Sequence, residues 1–220
     1  MKKENNTIVW TVGITALIML AIFGLVRGVS QKTTEKPESK ATATASDDMA
    51  GHHGGSSKPT PSASALNDLA GKPMPDFSLA DINGKEYTAK DLQGKKVVMF
   101  FNEGLMCYPA CWNQIVALAK DERLKNDDTI VFSVVVDSAK DWQRAIDKMP
   151  ELGLALVGFD KNAALSGKLG LLKVASSMHY GSLPGHTYVV IDKQGIVRHV
   201  FDDPNMALHN DQLIEELAKL

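Results

Sequence analysis

From Val97 to Phe201 short apolar runs alternate with stretches of helical spacing, which restricts the chain to layered α/β architectures. Val97–Phe101, entered from Gly94-Lys95-Lys96, reads as a buried strand, and Ile130–Val136 as a second. Between them, Ile115, Leu118 and Ala119 fall at helical spacing in a segment running from Cys111 to about Leu124. Trp142, Ala145, Ile146 and Met149 predict another helical face, stopped by Pro150. A short strand is expected at Leu154–Val157 and a helix around Asn162–Leu169. Tyr188–Ile191 and Ile196–Phe201 flank Asp192-Lys193-Gln194-Gly195 as a hairpin, and Asp211–Leu220 closes the chain as an amphipathic helix. Upstream, Phe77–Leu79 and Glu86–Thr88 flank the turn-forming pair Asn83-Gly84. Strand–helix–strand alternation followed by a hairpin and a last helix implies a mixed central sheet flanked by helices, over residues 66–220.

The amino-terminal third is of another kind. Ile8–Val26 holds nineteen residues without a charge, enough to cross roughly 30 Å of hydrocarbon as a helix. A cleaved signal would have a shorter apolar core and a small-residue cleavage site, so residues 8–26 are expected to be a retained transmembrane anchor after a stub of residues 1–7. Lys2 and Lys3 on one side nearly balance Arg27 on the other. The short basic stub places the main body on the extracytoplasmic side of a cell membrane, as a single-pass protein. Residues 27–65 are rich in Ser, Thr, Ala, Lys, Gly and Pro and bury too little to offset their ordering entropy, so a flexible linker is expected. Asp47, Asp48, Met49, His52 and His53 cluster within it. They read as a solvated stretch with incidental histidines, or as a weak copper-collecting patch. A net charge of −2 offers nucleic acid no electrostatic footprint.

Only two cysteines occur, in Met106-Cys107-Tyr108-Pro109-Ala110-Cys111, between the strand Val97–Phe101 and the helix that follows. The positive field of a helix start favours thiolate over thiol. Thiolate is both the nucleophile of disulfide exchange and a ligand for soft metals. Cysteines four apart at a helix start share a face at about 6 Å between Cα atoms. They can form a reversible disulfide or hold one ion. A purely structural disulfide over so short a loop would add comparatively little stability.

Lys72-Pro73-Met74-Pro75-Asp76-Phe77-Ser78-Leu79, Asn83-Gly84-Lys85 and Asp91-Leu92-Gln93-Gly94-Lys95 resemble the opening of the redoxin group, and His186-Thr187-Tyr188-Val189-Val190-Ile191-Asp192-Lys193-Gln194-Gly195 resembles its late strand and turn. That group includes the AhpC/TSA peroxiredoxins and the membrane-anchored TlpA/ResA-type oxidoreductases. The resemblance covers about residues 66–220 and implies a thioredoxin fold. Peroxiredoxins carry a proline seven residues and a threonine or serine three residues before the peroxidatic cysteine. Counting back from Cys107 gives Phe100 and Gly104, and from Cys111 gives Gly104 and Tyr108, so neither cysteine matches. The TlpA/ResA type uses Cys-x-x-Cys, one residue shorter than the spacing here. Carried over, its roles make Cys107 the attacking and Cys111 the resolving thiol. The Sco copper chaperones of cytochrome oxidase are likewise tethered thioredoxin folds, with Cys-x-x-x-Cys and a distant histidine before a late strand. Cys107, Cys111 and His186 match that set. A Sco-like proline after each cysteine is replaced by Tyr108 and Trp112. In the oxidoreductases the position of His186 is commonly a cis-proline beside the cysteines.

The expected function is a membrane-anchored, extracytoplasmic thiol–disulfide oxidoreductase acting through Cys107 and Cys111 on protein thiols and disulfides, with no cofactor required. The alternative is a Sco-like copper-binding chaperone using Cys107, Cys111 and His186, with copper-protein assembly partners. Glu103 and Tyr108 flank the pair as candidate tuning or proton-relay groups, and Trp112 as a packing or partner-docking residue. Met106 reads as packing, and Met178-His179 as a loop able to approach the site. His179, His199 and His209 read as mainly surface residues, and a cis bond at Pro184 finds no support in the spacing.

Overall fold

The computed structural model describes residues 66–220. The anchor expected at 8–26 and the linker at 27–65, with His52 and His53, lie outside the described residues. Among those described, no helix is long and apolar enough to cross a membrane.

The strands are β1 (Ser78–Ala80), β2 (Glu86–Thr88), β3 (Lys96–Phe101), β4 (Thr129–Val135), β5 (Val157–Phe159), β6 (Thr187–Ile191) and β7 (Val197–Asp202). The helices are α1 (Ala110–Lys120), α2 (Ala139–Lys148), the short α3 (Ala164–Lys168) and α4 (Asn210–Ala218). One mixed sheet runs in the order β2-β1-β5-β4-β3-β6-β7, with β3, β4 and β5 mutually parallel and the other pairings antiparallel. This is the thioredoxin fold.

β3 lies between β4 and β6 and is covered on both faces, which explains its unbroken apolar run. Val98 and Phe100 join the core beneath α1, α2 and α4, with Ile115, Trp142 and Leu213. Val97, Met99 and Phe101 point the other way, among Leu79, Phe132 and Leu171. Each such fully buried side chain contributes about 1.5–3 kcal/mol of transfer free energy.

Local polar groups decide where elements stop. The Asp121 carboxylate accepts the Arg123 N–H, so α1 ends at Lys120 and a separate 3-10 turn carries Glu122–Leu124. Ser138 caps α2 by accepting from the Asp141 N–H at 3.1 Å. The strand expected at Leu154–Val157 begins later. Pro150–Leu154 is a 3-10 turn with Leu154 exposed, and β5 starts at Val157, opposite Ser133 of β4. The expected helix at Asn162–Leu169 is shorter than its pattern, because Asn162 and Ala163 take left-handed φ and the Asp160 carboxylate caps the N–H groups of Leu165 and Ser166. In both expected hairpins an aspartate closes the turn. Asp81 accepts from Asn83 and Lys85, and Asp192 from Gln194 and Ile196.

Candidate functional site

β3 ends at Phe101 and delivers the chain to Asn102, Glu103 and a 3-10 turn over Gly104–Cys107. The turn is fixed from three sides. The Asn102 side chain accepts the Gly104 N–H, Trp112 Nε1 donates to the Gly104 carbonyl at 3.1 Å, and the Leu105 N–H donates to Asp137 at 3.1 Å. Gly104 sits at φ +55°, and a Cβ there would overlap the Asp137 carboxylate, so both backbone and space require glycine. Burial pushes the Asp137 carboxyl up, against the Leu105 N–H, which acts in the opposite direction. Trp112 thus works as packing, its ring set edge-on to Tyr108 and Trp142.

Cys107 closes this turn and Cys111 is the second residue of α1, with a cis peptide between Tyr108 and Pro109 and none at Pro184. Their Cα atoms are 5.4 Å apart and the sulfurs are joined as a disulfide. The pair is deep, with only 2% of Cys107 and 1% of Cys111 exposed.

From the far side of the sheet sequence, His186 enters just before β6 and is 1% exposed. Gly185 lets it do so, since a Cβ there would run into Val174, Ser176 and the backbone of Ser177. Pairing of β6 with β3 sets Tyr188 opposite Phe100 and Thr187 opposite Phe101, and so brings His186 to the sulfurs. His186 Nδ1 lies 3.5 Å from Cys111 Sγ, and Nε2 lies 2.9 Å from the Tyr188 hydroxyl. Potential ligand atoms of Cys107, Cys111 and His186 all fall within 4.8 Å of one another. Burial brings the His186 pKa down to about 4, with Asp203 pulling weakly the other way, so the imidazole is neutral at physiological pH. Burial, and secondarily Asp203, pushes the Tyr188 phenol up, so it stays protonated.

The flanking residues divide differently from the sequence expectation. Glu103 is buried, and its hydrogen bonds go to the loop at residues 177–179 rather than to the cysteines. It accepts from the N–H groups of Met178 and His179 at 2.6 and 2.9 Å and faces His179 Nδ1 at 2.8 Å, binding that loop to the end of β3. Tyr108 is on the surface. His209, expected at the surface, is half-buried with Nε2 2.8 Å from Asp203 and its ring against Tyr188 and Phe201. His199 is partly covered near Glu216. Burial would push Asp203 up, but His209 and the N–H groups of Ala207 and Asn205 outweigh it and hold the carboxyl down. Three residues of the site lay beyond sequence reasoning: Met206, whose Sδ is 3.8 Å from Cys107 Sγ, Asp203, and Tyr188 in its role as partner of His186. The i, i+2 spacing of His186 and Tyr188 on one strand face was the one available signal.

The profile of the Redoxin family matches residues 69–212. The chain belongs to the Redoxin family. Among curated redoxin relatives, peroxiredoxin Bcp of Escherichia coli K12 is 28% identical over 158 residues, covering 68% of this chain and 96% of that protein. The chloroplastic peroxiredoxin Q of Sedum lineare is 29% identical over 156 residues, covering 68% and 76%. Among solved structures, Enterococcus faecalis AhpC superposes with a TM-score of 0.60 at 16% identity, over 69% of this chain and 91% of that one. BcpB of Mycobacterium tuberculosis gives 0.56 at 20% identity, over 69% and 97%. These structural likenesses extend over the thioredoxin fold described above. In this redoxin a joined cysteine pair beside a neutral imidazole is an arrangement suited to thiol–disulfide chemistry.

Proposed function

We propose that this redoxin is a Sco-like copper-binding protein, in which reduced Cys107 and Cys111 together with His186 take up copper as cargo. The observation that carries the reading is the convergence of two sulfurs and one neutral imidazole within 4.8 Å in a site with almost no solvent exposure. The donor chemistry fits, since thiolates select copper(I) and imidazole suits copper in either oxidation state. Nδ1 as the donor atom requires the ring proton on Nε2, where the Tyr188 hydroxyl oxygen accepts it and fixes the ring. Burial also matters for access. A small ion reaches the sulfurs of cysteines that are only 1–2% exposed more readily than the disulfide of a folded partner does.

The disulfide supports a second reading in which the same pair exchanges thiols and disulfides. A partner dithiol supplies two electrons and two protons. Its thiolate attacks one sulfur, its second thiol releases the mixed disulfide, and the partner leaves oxidised with Cys107 and Cys111 as thiols. In the reverse direction Cys107 attacks a partner disulfide and Cys111 resolves. The two readings are compatible, because uptake of copper requires the reduced pair and releases its thiol protons. Peroxidase activity finds no support in the residues before either cysteine, Phe100 and Gly104 or Gly104 and Tyr108.

A competition titration of the reduced full-length protein with copper(I) and a chromophoric chelator tests the proposal. One-to-one binding that is lost in Cys107→Ser and in Cys111→Ser is expected. Failure of the reduced native protein to compete, with a measurable reduction potential for the pair, would leave disulfide exchange as its function.

We also propose that residues 8–26 anchor the protein and that residues 66–220 act on the extracytoplasmic side. The uncharged stretch and the disulfide, which persists in oxidising compartments, support this. Carbonate extraction and protease protection of intact cells test the placement; release by carbonate would overturn it.

A further inference from the structure

Met206 lies in the loop between β7 and α4 and, among the described residues, brings a further soft donor against the cysteine pair, its Sδ 3.8 Å from Cys107 Sγ. Its backbone is unusual. Met206 has φ +53°, a left-handed conformation that unbranched non-glycine residues seldom take outside turns and functional sites. Asp203 holds it there. The Asp203 carbonyl accepts the Met206 N–H at 3.1 Å, and its carboxylate accepts the N–H groups of Asn205 and Ala207. The Asp203 N–H in turn donates to the His186 carbonyl at 2.9 Å. One aspartate therefore ties the methionine and the histidine into a single frame.

Two of the donor spacings match those across a shared ion. With zinc's bond lengths as a guide, about 2.3 Å to sulfur and about 2.0 Å to nitrogen, a tetrahedral ion separates two sulfurs by about 3.8 Å and a sulfur and a nitrogen by about 3.5 Å. Cys107 Sγ to Met206 Sδ is 3.8 Å and Cys111 Sγ to His186 Nδ1 is 3.5 Å. The disulfide closes a third edge of that figure, and reduction opens it.

We propose that the thioether of Met206 is a fourth donor to copper, completing a site of two cysteines, one histidine and one methionine. This rests on the copper reading above and adds a ligand to it. A thioether favours copper(I) and weakly bonds copper(II) along an axial direction, so Met206 biases the site toward the reduced ion.

The test compares native full-length protein with Met206→Leu, which keeps bulk and apolarity, and with Met206→Gly, which relieves the left-handed backbone and keeps the loop foldable. Copper(I) affinity by chelator competition and the sulfur count at copper by X-ray absorption are read on all three. The expected result is a loss of roughly 10-fold in copper(I) affinity in both variants, with the sulfur count falling from three to two. Unchanged affinity and sulfur count in both variants, with tight binding in the native protein, would overturn the fourth ligand and leave the three-donor site standing. No tight binding by the native protein would overturn both.

Discussion

His186 and His209 lie against the same tyrosine, with ring centroids 5.4 and 5.5 Å from that of Tyr188, yet they are held in opposite ways. His209 sets Nε2 on the Asp203 carboxylate at 2.8 Å, and His179 sets Nδ1 on the Glu103 carboxylate at 2.8 Å. His186 faces a hydroxyl on one side and sulfur on the other, with no carboxylate on either ring nitrogen. His209 and His179 act as clamps, each setting one ring nitrogen on a carboxylate that joins it to another part of the chain. His186 instead turns Nδ1 to the sulfurs while its other nitrogen rests on a hydroxyl. Of these three histidines, His186 alone turns a ring nitrogen to the cysteine sulfurs.

Substitution breaks the comparison most sharply. His186→Ala is expected to weaken copper(I) binding by more than about 100-fold, beyond the usual effect of an outer partner, while His179→Ala leaves it nearly unchanged. Equal losses in the two variants would mean that His186 is also a clamp. Acid sharpens the same contrast. In the metal-free disulfide form the His186 pKa is about 4, against about 6.5 in the unfolded chain. The unfolded state takes up the proton first, so this group's contribution is complete above about pH 6.5 and is lost as pH falls toward 4. About 3 kcal/mol of stability is at stake across that window. Urea midpoints at pH 7 and pH 4 measure it, and His186→Gln should flatten the dependence.

The clamps should show in stability instead. Glu103→Ala leaves the N–H groups of Met178 and His179 without their acceptor and is expected to cost about 1–3 kcal/mol in urea unfolding, with copper affinity retained. The smallest effect expected is that of Tyr188→Phe, which keeps the stack on Phe100 and Phe201 but removes the hydroxyl at Nε2. A loss of about 10-fold in copper affinity is anticipated by the same titration. No loss would show that the ring is oriented by packing against Phe100 alone.

Much of this was legible in the residue order. The apolar runs at Val97 and Ile130 became β3 and β4, and the Asp192–Gly195 turn joined β6 to β7. The pair at Cys107 and Cys111 and the distant His186 fell together as the family resemblance implied. Periodicity erred where polar side chains intervened locally. The Asp160 cap and the left-handed Asn162 and Ala163 shortened the helix expected from 162 to 169, and the turn begun at Pro150 moved the start of β5 three residues beyond Leu154.

By itself, the sequence determined the layers, the strand that carries the cysteines, and the chemical character of the donor set, because hydrophobic period and residue type act over a few neighbouring positions. Only the tertiary structure decided how closely His186 approaches the sulfurs, that Glu103 ties a loop to the end of β3, and that Met206 meets Cys107 across 99 residues of chain. Those outcomes depend on the register of β6 against β3 and on the desolvation it imposes on His186. Neither is a property of any local stretch of sequence.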